Sequence, residues 1–296
     1  MDYELSVTGF LSFFRRSLAM TYQLLAMGLI TIAITSCTGG PTMNQQKNML
    51  PSIKEIPAEA WHKLSQKKVY FGHQSVGYDI INGIKEIMKE NPQVKLNITG
   101  TKKAADFTVP IFAHSEVGKN EDPASKIDDF VSIIGKGLGG EVQIAFFKFC
   151  FVDVVSGTDI NRLFDEYRSK LATLKEKYPD VIFVHWTVPL MTVQTGPKAF
   201  IKKIIGKTIG GYSDNIRREQ YNAMLRKEYE DKEPVFDLAA IESTNPDGSR
   251  LSFSQNGSIG YALVPKYTSD GGHLNKKGCT FVAEQLLILL ANLASR

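Results

Sequence analysis

Val69-Tyr70-Phe71-Gly72-His73-Gln74-Ser75-Val76-Gly77 carries the chain from three large apolar residues into a serine flanked by glycines. A short apolar run bounded by glycine reads as a buried strand. From Val76 to Lys89 the residues Ile80, Ile81, Ile84 and Ile87 recur at helical spacing, so a helix follows. Ser75 therefore stands at a strand-to-helix turn, just past the C-terminal end of the strand. Asn91-Pro92 stops that helix. Moving outward, the same alternation repeats. Strands are expected at Val94–Thr99, Val142–Phe147, Val181–Val188 and Val235–Leu238. Helices are expected at Pro123–Ile134, Asp159–Lys177 (capped by Thr158 or Asp159), Ser213–Glu230 (capped by Ser213) and Lys276–Leu293. Thr101–Asp122 reads as irregular. Apolar strands alternating with helices imply a parallel sheet covered on both faces, with right-handed crossovers. The expected fold is α/β, with five parallel strands at its centre.

In such sheets, ligands bind beyond the C-terminal ends of the strands. Ser75 lies on that rim. So does Ser269-Asp270-Gly271-Gly272-His273-Leu274-Asn275, the loop before the last helix. A serine hydroxyl becomes an effective nucleophile when a base takes its proton. His273 is suited to that role, with Asp270, three residues earlier, to orient the imidazole. Gly271 and Gly272 free the backbone to project both side chains toward one rim. The Ser75 N–H, near a helix N-terminus, is a natural oxyanion donor. Each residue also has a plain structural reading: Ser75 as a helix N-cap, and Asp270 as a turn or cap residue. The conjunction of nucleophile, base and orienter favours a functional triad.

The ends of the chain bound its setting. Arg15 and Arg16 precede an uncharged, mostly apolar stretch, Leu18–Ser36, which ends in Ile34-Thr35-Ser36-Cys37. Residues 1–36 read as an export signal, and the terminal cysteine makes the block resemble a bacterial lipobox, implying cleavage before Cys37 and its acylation. An uncleaved membrane anchor is the alternative. Residues 37–60 read as a flexible tether, and 61–296 as one domain. The expected location is the cell envelope, lipid-anchored and facing periplasm or cell surface. Removing residues 1–36 removes two arginines and two acids, so the net charge stays at +4. That mild balance argues against nucleic acid as a partner. Of three cysteines, Cys150 and Cys279 lie in apolar contexts and read as free thiols. His114 and His185 show no metal-ligand spacing with any partner and read as structural. Tyr221-Asn222 reads as packing and capping. Gln194–Tyr212, glycine-rich around an apolar-basic core, reads either as a lid or as a surface loop.

The closing Asp270-Gly271-Gly272-His273-Leu274-Asn275, with Gly278, resembles the Asp-x-x-His block of the SGNH (GDSL-type) hydrolases, and Ser75 matches their nucleophile in position. The resemblance spans about Val69 to the C-terminus. It implies a flavodoxin-like three-layer sandwich and ester hydrolysis without metal or organic cofactor. It implies an oxyanion hole of Ser75 N–H, a glycine N–H and an asparagine amide, for which Gly118 and Asn120 are the candidates here. The sequence departs from the family at Gly72-His73-Gln74-Ser75, where Gly-Asp-Ser is usual. It departs again at Lys148-Phe149-Cys150-Phe151-Val152-Asp153, where the family's asparagine is absent. His73 and Asp153 are candidates to line a substrate pocket; hydrogen bonding within the turn for His73 and loop capping for Asp153 are the plain alternatives. The implied partner is an acylated small molecule or glycan. A non-catalytic binding protein on the same scaffold and an acyltransferase with the same triad remain as alternatives.

Overall fold

The structure is a computed structural model. It describes residues 50–194, 210–255 and 257–296, all within the unit Lys47–Arg296. The export signal, Cys37, most of the tether and residues 195–209 of the expected lid lie outside the described residues.

The centre is a parallel sheet. Strand β1 (Lys68–His73) runs between β3 (Ile111–Glu116) and β4 (Ile144–Phe147), with β2 (Ile98–Gly100) outside β3 and β5 (Ile182–Phe183) outside β4. Only Val184 separates β5 from β6 (His185–Trp186), which pairs in parallel with β7 (Val235–Phe236). The Val184 N–H donates to Ala145 O at 3.1 Å, while His185 N–H donates to Pro234 O at 2.9 Å. Residues 182–186 thus form one extended segment joining β4 to β7. The order β3-β1-β4-β5/β6-β7 is the flavodoxin-like 2-1-3-4-5 order, with β2 added at one edge.

Helices cover both faces, giving three layers. Helices α1 (Ala58–Ser65), α2 (Val76–Glu90) and α7 (Lys276–Ala294) share one apolar cluster with Val69, Phe71, Phe146 and Trp186. Helices α3 (Pro123–Lys136), α4 (Ile160–Lys177) and α5 (Tyr212–Tyr229) share the other with Tyr70, Ala145, Phe147 and Phe183. Successive residues of one strand enter opposite clusters, as a period of two requires. Helices α2 and α7 cross closely at Gly83, where an added Cβ would stand 2.2 Å from the Cys279 carbonyl oxygen. Helix α7 is long and apolar enough to cross a membrane, yet most of it is buried inside this core. A short helix α6 (Leu238–Glu242) and an antiparallel hairpin, β8 (Ser252–Gln255) with β9 (Ser258–Tyr261), complete the described elements.

Three sequence readings are corrected. Ile111–Glu116 is a central strand, not irregular chain; its C-terminal half (His114-Ser115-Glu116) is polar, which hid the pattern. The folded part begins by Leu50 rather than at 61. Ile53, Trp61 and Leu64 are buried, the Ile53 N–H donates to Glu284 Oε1 (2.8 Å) and Gln285 Nε2 donates to Pro51 O (3.0 Å). Helix α5 starts after Gly211 at φ +84°, with no side-chain cap from Ser213. Asp159, rather than Thr158, caps α4 by accepting from Arg162 N–H at 3.2 Å. Cys150 and Cys279 are free thiols.

Candidate active site

The turn from β1 into α2 holds Ser75 at φ +51°, ψ −111°, a backbone conformation that costs a non-glycine residue about 1–3 kcal/mol. Strain of this kind raises a serine above the sheet at a sharp strand-to-helix turn. Ser75 occupies the N-cap position of α2 but makes no capping hydrogen bond with its side chain. Its hydroxyl instead donates to His273 Nε2 at 2.5 Å. His273 Nδ1–H donates to Asp270 Oδ2 at 2.7 Å. The three side chains named from the sequence therefore form one continuous hydrogen-bonded chain across 198 residues of separation.

The His273 loop is fixed at every turn. Asp270 Oδ1 accepts from the Gly272 and His273 N–H groups at 2.9 and 2.8 Å. The Gly272 N–H bond, then the His273 imidazole, hold this carboxyl well below the usual carboxylate range. Gly271, at φ +96°, accepts from Thr192 N–H at 2.8 Å, tying the loop to the strand end after β6. Gly272 admits the Phe151 ring, which would stand 2.7 Å from a Cβ there and packs edge-on against His273 at 5.6 Å. Asp79, one turn into α2, accepts from Leu274 N–H at 3.0 Å. Burial raises its carboxyl pKa, partly offset by that bond. Asp79 thus ties the base loop to the helix that carries the nucleophile. The sequence reading missed it, although its place four residues after Ser75 puts it on the same helix face.

The oxyanion side differs from expectation. Gln74 Nε2 donates to Val117 O (3.3 Å) and Gly118 O (2.5 Å), binding the loop after β3 to the nucleophile turn. The Gly118 N–H, however, donates to Asp129 Oδ2 at 3.0 Å and is therefore already engaged; Gly118 is tightly seated, since a Cβ would stand 2.4 Å from Lys126 N. Asn120 remains available. Its Oδ1 accepts from Lys126 Nζ at 2.9 Å, which leaves the amide hydrogens without a protein acceptor among the described residues. No acceptor among them takes the Ser75 N–H either.

Asp153 does not line a substrate pocket through its carboxylate. It is buried, and its oxygens are filled by Lys126 Nζ (2.5 Å), Cys150 N–H (2.6 Å) and Glu121 N–H (2.9 Å). The buried Lys126–Asp153 pair couples the loop after β3 to the loop after β4, and Lys126 Nζ also holds the Asn120 amide oxygen. His73 is also internal. It is fully buried, hydrogen-bonded to His114 Nδ1 at 3.0 Å and packed under Gly77, where a Cβ would strike its ring at 2.3 Å. Burial, then Lys148 and His114, push its pKa down to about 3, so the imidazole is neutral. His185 is likewise structural, hydrogen-bonded to Tyr167 (2.6 Å) and Glu233 (3.0 Å) and stacked on Tyr229.

Below the rim lies a polar layer that the sequence reading did not foresee. Buried Lys148 Nζ donates to Phe149 O (3.3 Å) and Cys150 Sγ (3.4 Å), and burial lowers its pKa. Glu242 Oε1 accepts from Leu190 N–H, while buried Oε2 has no hydrogen-bond partner among the described residues; burial pushes this carboxyl up to about 8. Asn222 clamps both the N–H (2.7 Å) and the carbonyl (3.0 Å) of Val188, and Asn215 does the same for Met191. These groups fix the strand end that holds Gly271. Among the described residues, no group of three or more His, Cys, Asp or Glu side chains is placed to hold a metal ion.

Two cavities lie toward the two edges of the sheet, neither with a triad side chain in its wall. One, of about 650 Å³, lies beyond β2 and β3 and includes Tyr78, Thr101 and Lys103. The other, of about 560 Å³, is walled by Val152, Asp153, Val155, Met191 and Arg218 on the β4–β6 side.

No protein-family model matches the chain, and no curated protein matches it. Among solved structures, the chain is similar to a Desulfitobacterium hafniense protein assigned to the lipolytic G-D-S-L family (10% identity, 75% of this chain and 99% of that chain, TM-score 0.42). It is similar to a family 3 carbohydrate esterase from Clostridium thermocellum (14%, 77% and 98%, TM-score 0.39). It is also similar to the periplasmic domain of a lipopolysaccharide acetyltransferase from Salmonella Paratyphi A (14%, 75% and 82%, TM-score 0.42). At these identities and TM-scores the likeness decides nothing about chemistry, which rests on the site's own geometry.

Proposed function

We propose that this protein is a serine ester hydrolase of SGNH type that works through an acyl-enzyme. The observation that carries the reading is the two-bond chain from Ser75 Oγ through His273 to Asp270, starting on a strained turn. Ser75 Oγ attacks the ester carbonyl as His273 Nε2 takes its proton. Asp270 holds the tautomer that presents Nε2 as acceptor and stabilises the imidazolium. The oxyanion is met by the Ser75 N–H and the Asn120 amide. His273 then protonates the departing alkoxide, leaving the acyl group on Ser75. A water deprotonated by His273 attacks that ester, and the serine recovers its proton as the acid leaves. Gly118 is given no part in the oxyanion hole, because Asp129 holds its N–H.

The proposed substrate class is an O-acyl ester of a small molecule or glycan. The proposed setting is the cell envelope, with a lipid on Cys37. Incorporation of labelled palmitate that is lost in Cys37→Ser tests the anchor. Hydrolysis of p-nitrophenyl acetate and butyrate by the full chain, beside Ser75→Ala, tests the chemistry. Turnover that disappears in the variant is the expected result. Equal rates in both proteins, together with no labelling of Ser75 by a fluorophosphonate, would overturn it.

A further inference from the structure

Leu274, which follows His273 directly, is held from two helices. From α2, Asp79 Oδ2 accepts from the Leu274 N–H at 3.0 Å. From α7, Cys279 Sγ donates to the Leu274 carbonyl at 3.4 Å. The Leu274 side chain itself is buried in the apolar cluster that α2 and α7 share. The Cys279 link joins neighbours in sequence and travels with the loop. Asp79 is different in kind: it meets the loop across 195 residues of sequence, from the first turn of α2, whose N-cap position Ser75 occupies. The Ser75–His273 bond and the Asp79–Leu274 bond therefore join the same two segments of chain. In the proposed reaction the first is made and broken as the proton moves, while the second can persist throughout. An acid in a first helical turn also meets the positive end of the helix dipole, which steadies the carboxylate where it stands.

The charges around Asp79 come from each element packed against it: Asp270 and His273 from the base loop, Lys148 from the loop after β4, and Cys279 from α7. Asp79 is half-buried, so its charge is screened less than one in open solvent. His273 and Lys148 favour its charged form, and Asp270 opposes it. The attraction is mutual, since an anion near an imidazole favours the imidazolium.

We propose that Asp79 is a positioning residue for the reaction: its bond to Leu274 keeps His273 Nε2 in register with the Ser75 hydroxyl, and its charge joins that of Asp270 in favouring the imidazolium that forms as Ser75 attacks. The proposal rests on the hydrolase reading. Asp79 carries no proton in it and acts only through His273.

The test is the steady-state kinetics of p-nitrophenyl acetate hydrolysis by the full chain, Asp79→Ala and Asp79→Asn, with Ser75→Ala as the blank. Asparagine keeps an oxygen to accept from Leu274 but loses the charge; alanine loses both. Asp79→Ala is expected to lower kcat about 10–100-fold with KM unchanged, the scale of a small misplacement of a catalytic group. Asp79→Asn is expected to recover most of that kcat. It should also move the acid limb of kcat/KM to lower pH by about 0.5 pH unit, the scale of one screened charge at close range. The sign follows because removing an anion from beside the imidazole disfavours its protonated form. A merely structural role would leave that limb in place. Asparagine also preserves the shape of the side chain, so the pH reading stands even if the alanine variant folds poorly. Equal kcat in all three proteins, a loss that falls on KM instead, or an unmoved limb in Asp79→Asn would each overturn the proposal and leave the hydrolase reading intact. Turnover that survives Ser75→Ala, or none in the parent chain, would overturn both, so the two failures are distinguishable.

Discussion

The two sides of the candidate site are built by different means. On the nucleophile and base side, Ser75 and Asp270–His273 each come from one contiguous motif, and backbone N–H groups fix their geometry. On the proposed oxyanion side, Asn120 is held by a relay of side chains, Lys126 and Asp153, drawn from α3 and the loop after β4. The first side concentrates its chemistry in a few exposed atoms. The second spreads it through a buried ion pair, where loss of one partner is felt by the whole fold. The contrast predicts that activity and stability part company on one side and fall together on the other.

The largest effect is expected at Ser75→Ala, which should lower kcat for an activated ester at least about 10³-fold with little change in the urea midpoint. A large loss of stability there would erase the distinction. Next comes Lys126→Met. It leaves the Asp153 carboxylate buried and without its cation, and should cost about 3 kcal/mol in urea unfolding while also reducing kcat. A variant with lower kcat but full stability would show the pair to be dispensable to the fold. Asn120→Ala should lower kcat about 10²–10³-fold without loss of stability, since Asn120 is exposed; an unchanged kcat would remove it from the oxyanion hole.

The polar layer beneath both sides predicts the shape of the stability profile with pH. His73 is neutral in the fold down to about pH 3 but titrates near 6.5 when unfolded, so stability falls as pH drops through that window. Glu242 keeps its proton to about pH 8 in the fold but ionises near 4.5 when unfolded, so stability falls as pH rises through that window. Each slope is up to about 1.4 kcal/mol per pH unit. They oppose each other between about 4.5 and 6.5 and leave a plateau there. His114 and His185, also lowered by burial, tilt it upward toward its alkaline end. Glu242→Gln should flatten the decline above the plateau; thermal melts from about pH 5 to 8, which cover most of the plateau and the decline above it, read this directly. The smallest effect is the reverse of the first. Ser75→Gly should abolish turnover yet raise stability by about 1 kcal/mol, because glycine adopts φ +51° without strain.

The same contrast explains what the sequence disclosed. Val69–Gly77 and Ser269–Asn275 could be read because strand, turn and helix signals lie within a few residues of the groups that act. The strand order near β1 was obscured because β3 is apolar only in its first half, where Ile111, Phe112 and Ala113 are buried. Asp153 was left between a substrate contact and a loop cap, because an acid on a rim loop looks the same whether it faces solvent or a lysine 27 residues away. Gly118 was placed in the oxyanion hole on its position alone, and Asp129, eleven residues on, takes its N–H. Asp79 has no motif; its meaning appears only when Leu274, 195 residues later, arrives beside it. Groups whose roles depend on distant partners leave no local pattern.

Helix α7 follows every other described element along the chain, and the base stands just before it. As the polypeptide emerges during synthesis, Ser75 exists long before His273 can reach it, and the face of the sheet that α1 and α2 cover stays incomplete until α7 is laid down. Assembly therefore depends on contacts of long sequence separation, which fold slowly. An unfinished chain has neither a closed core nor a paired serine. The hydrogen-bonded pair of Ser75 and His273 can thus form only once the whole chain has been made.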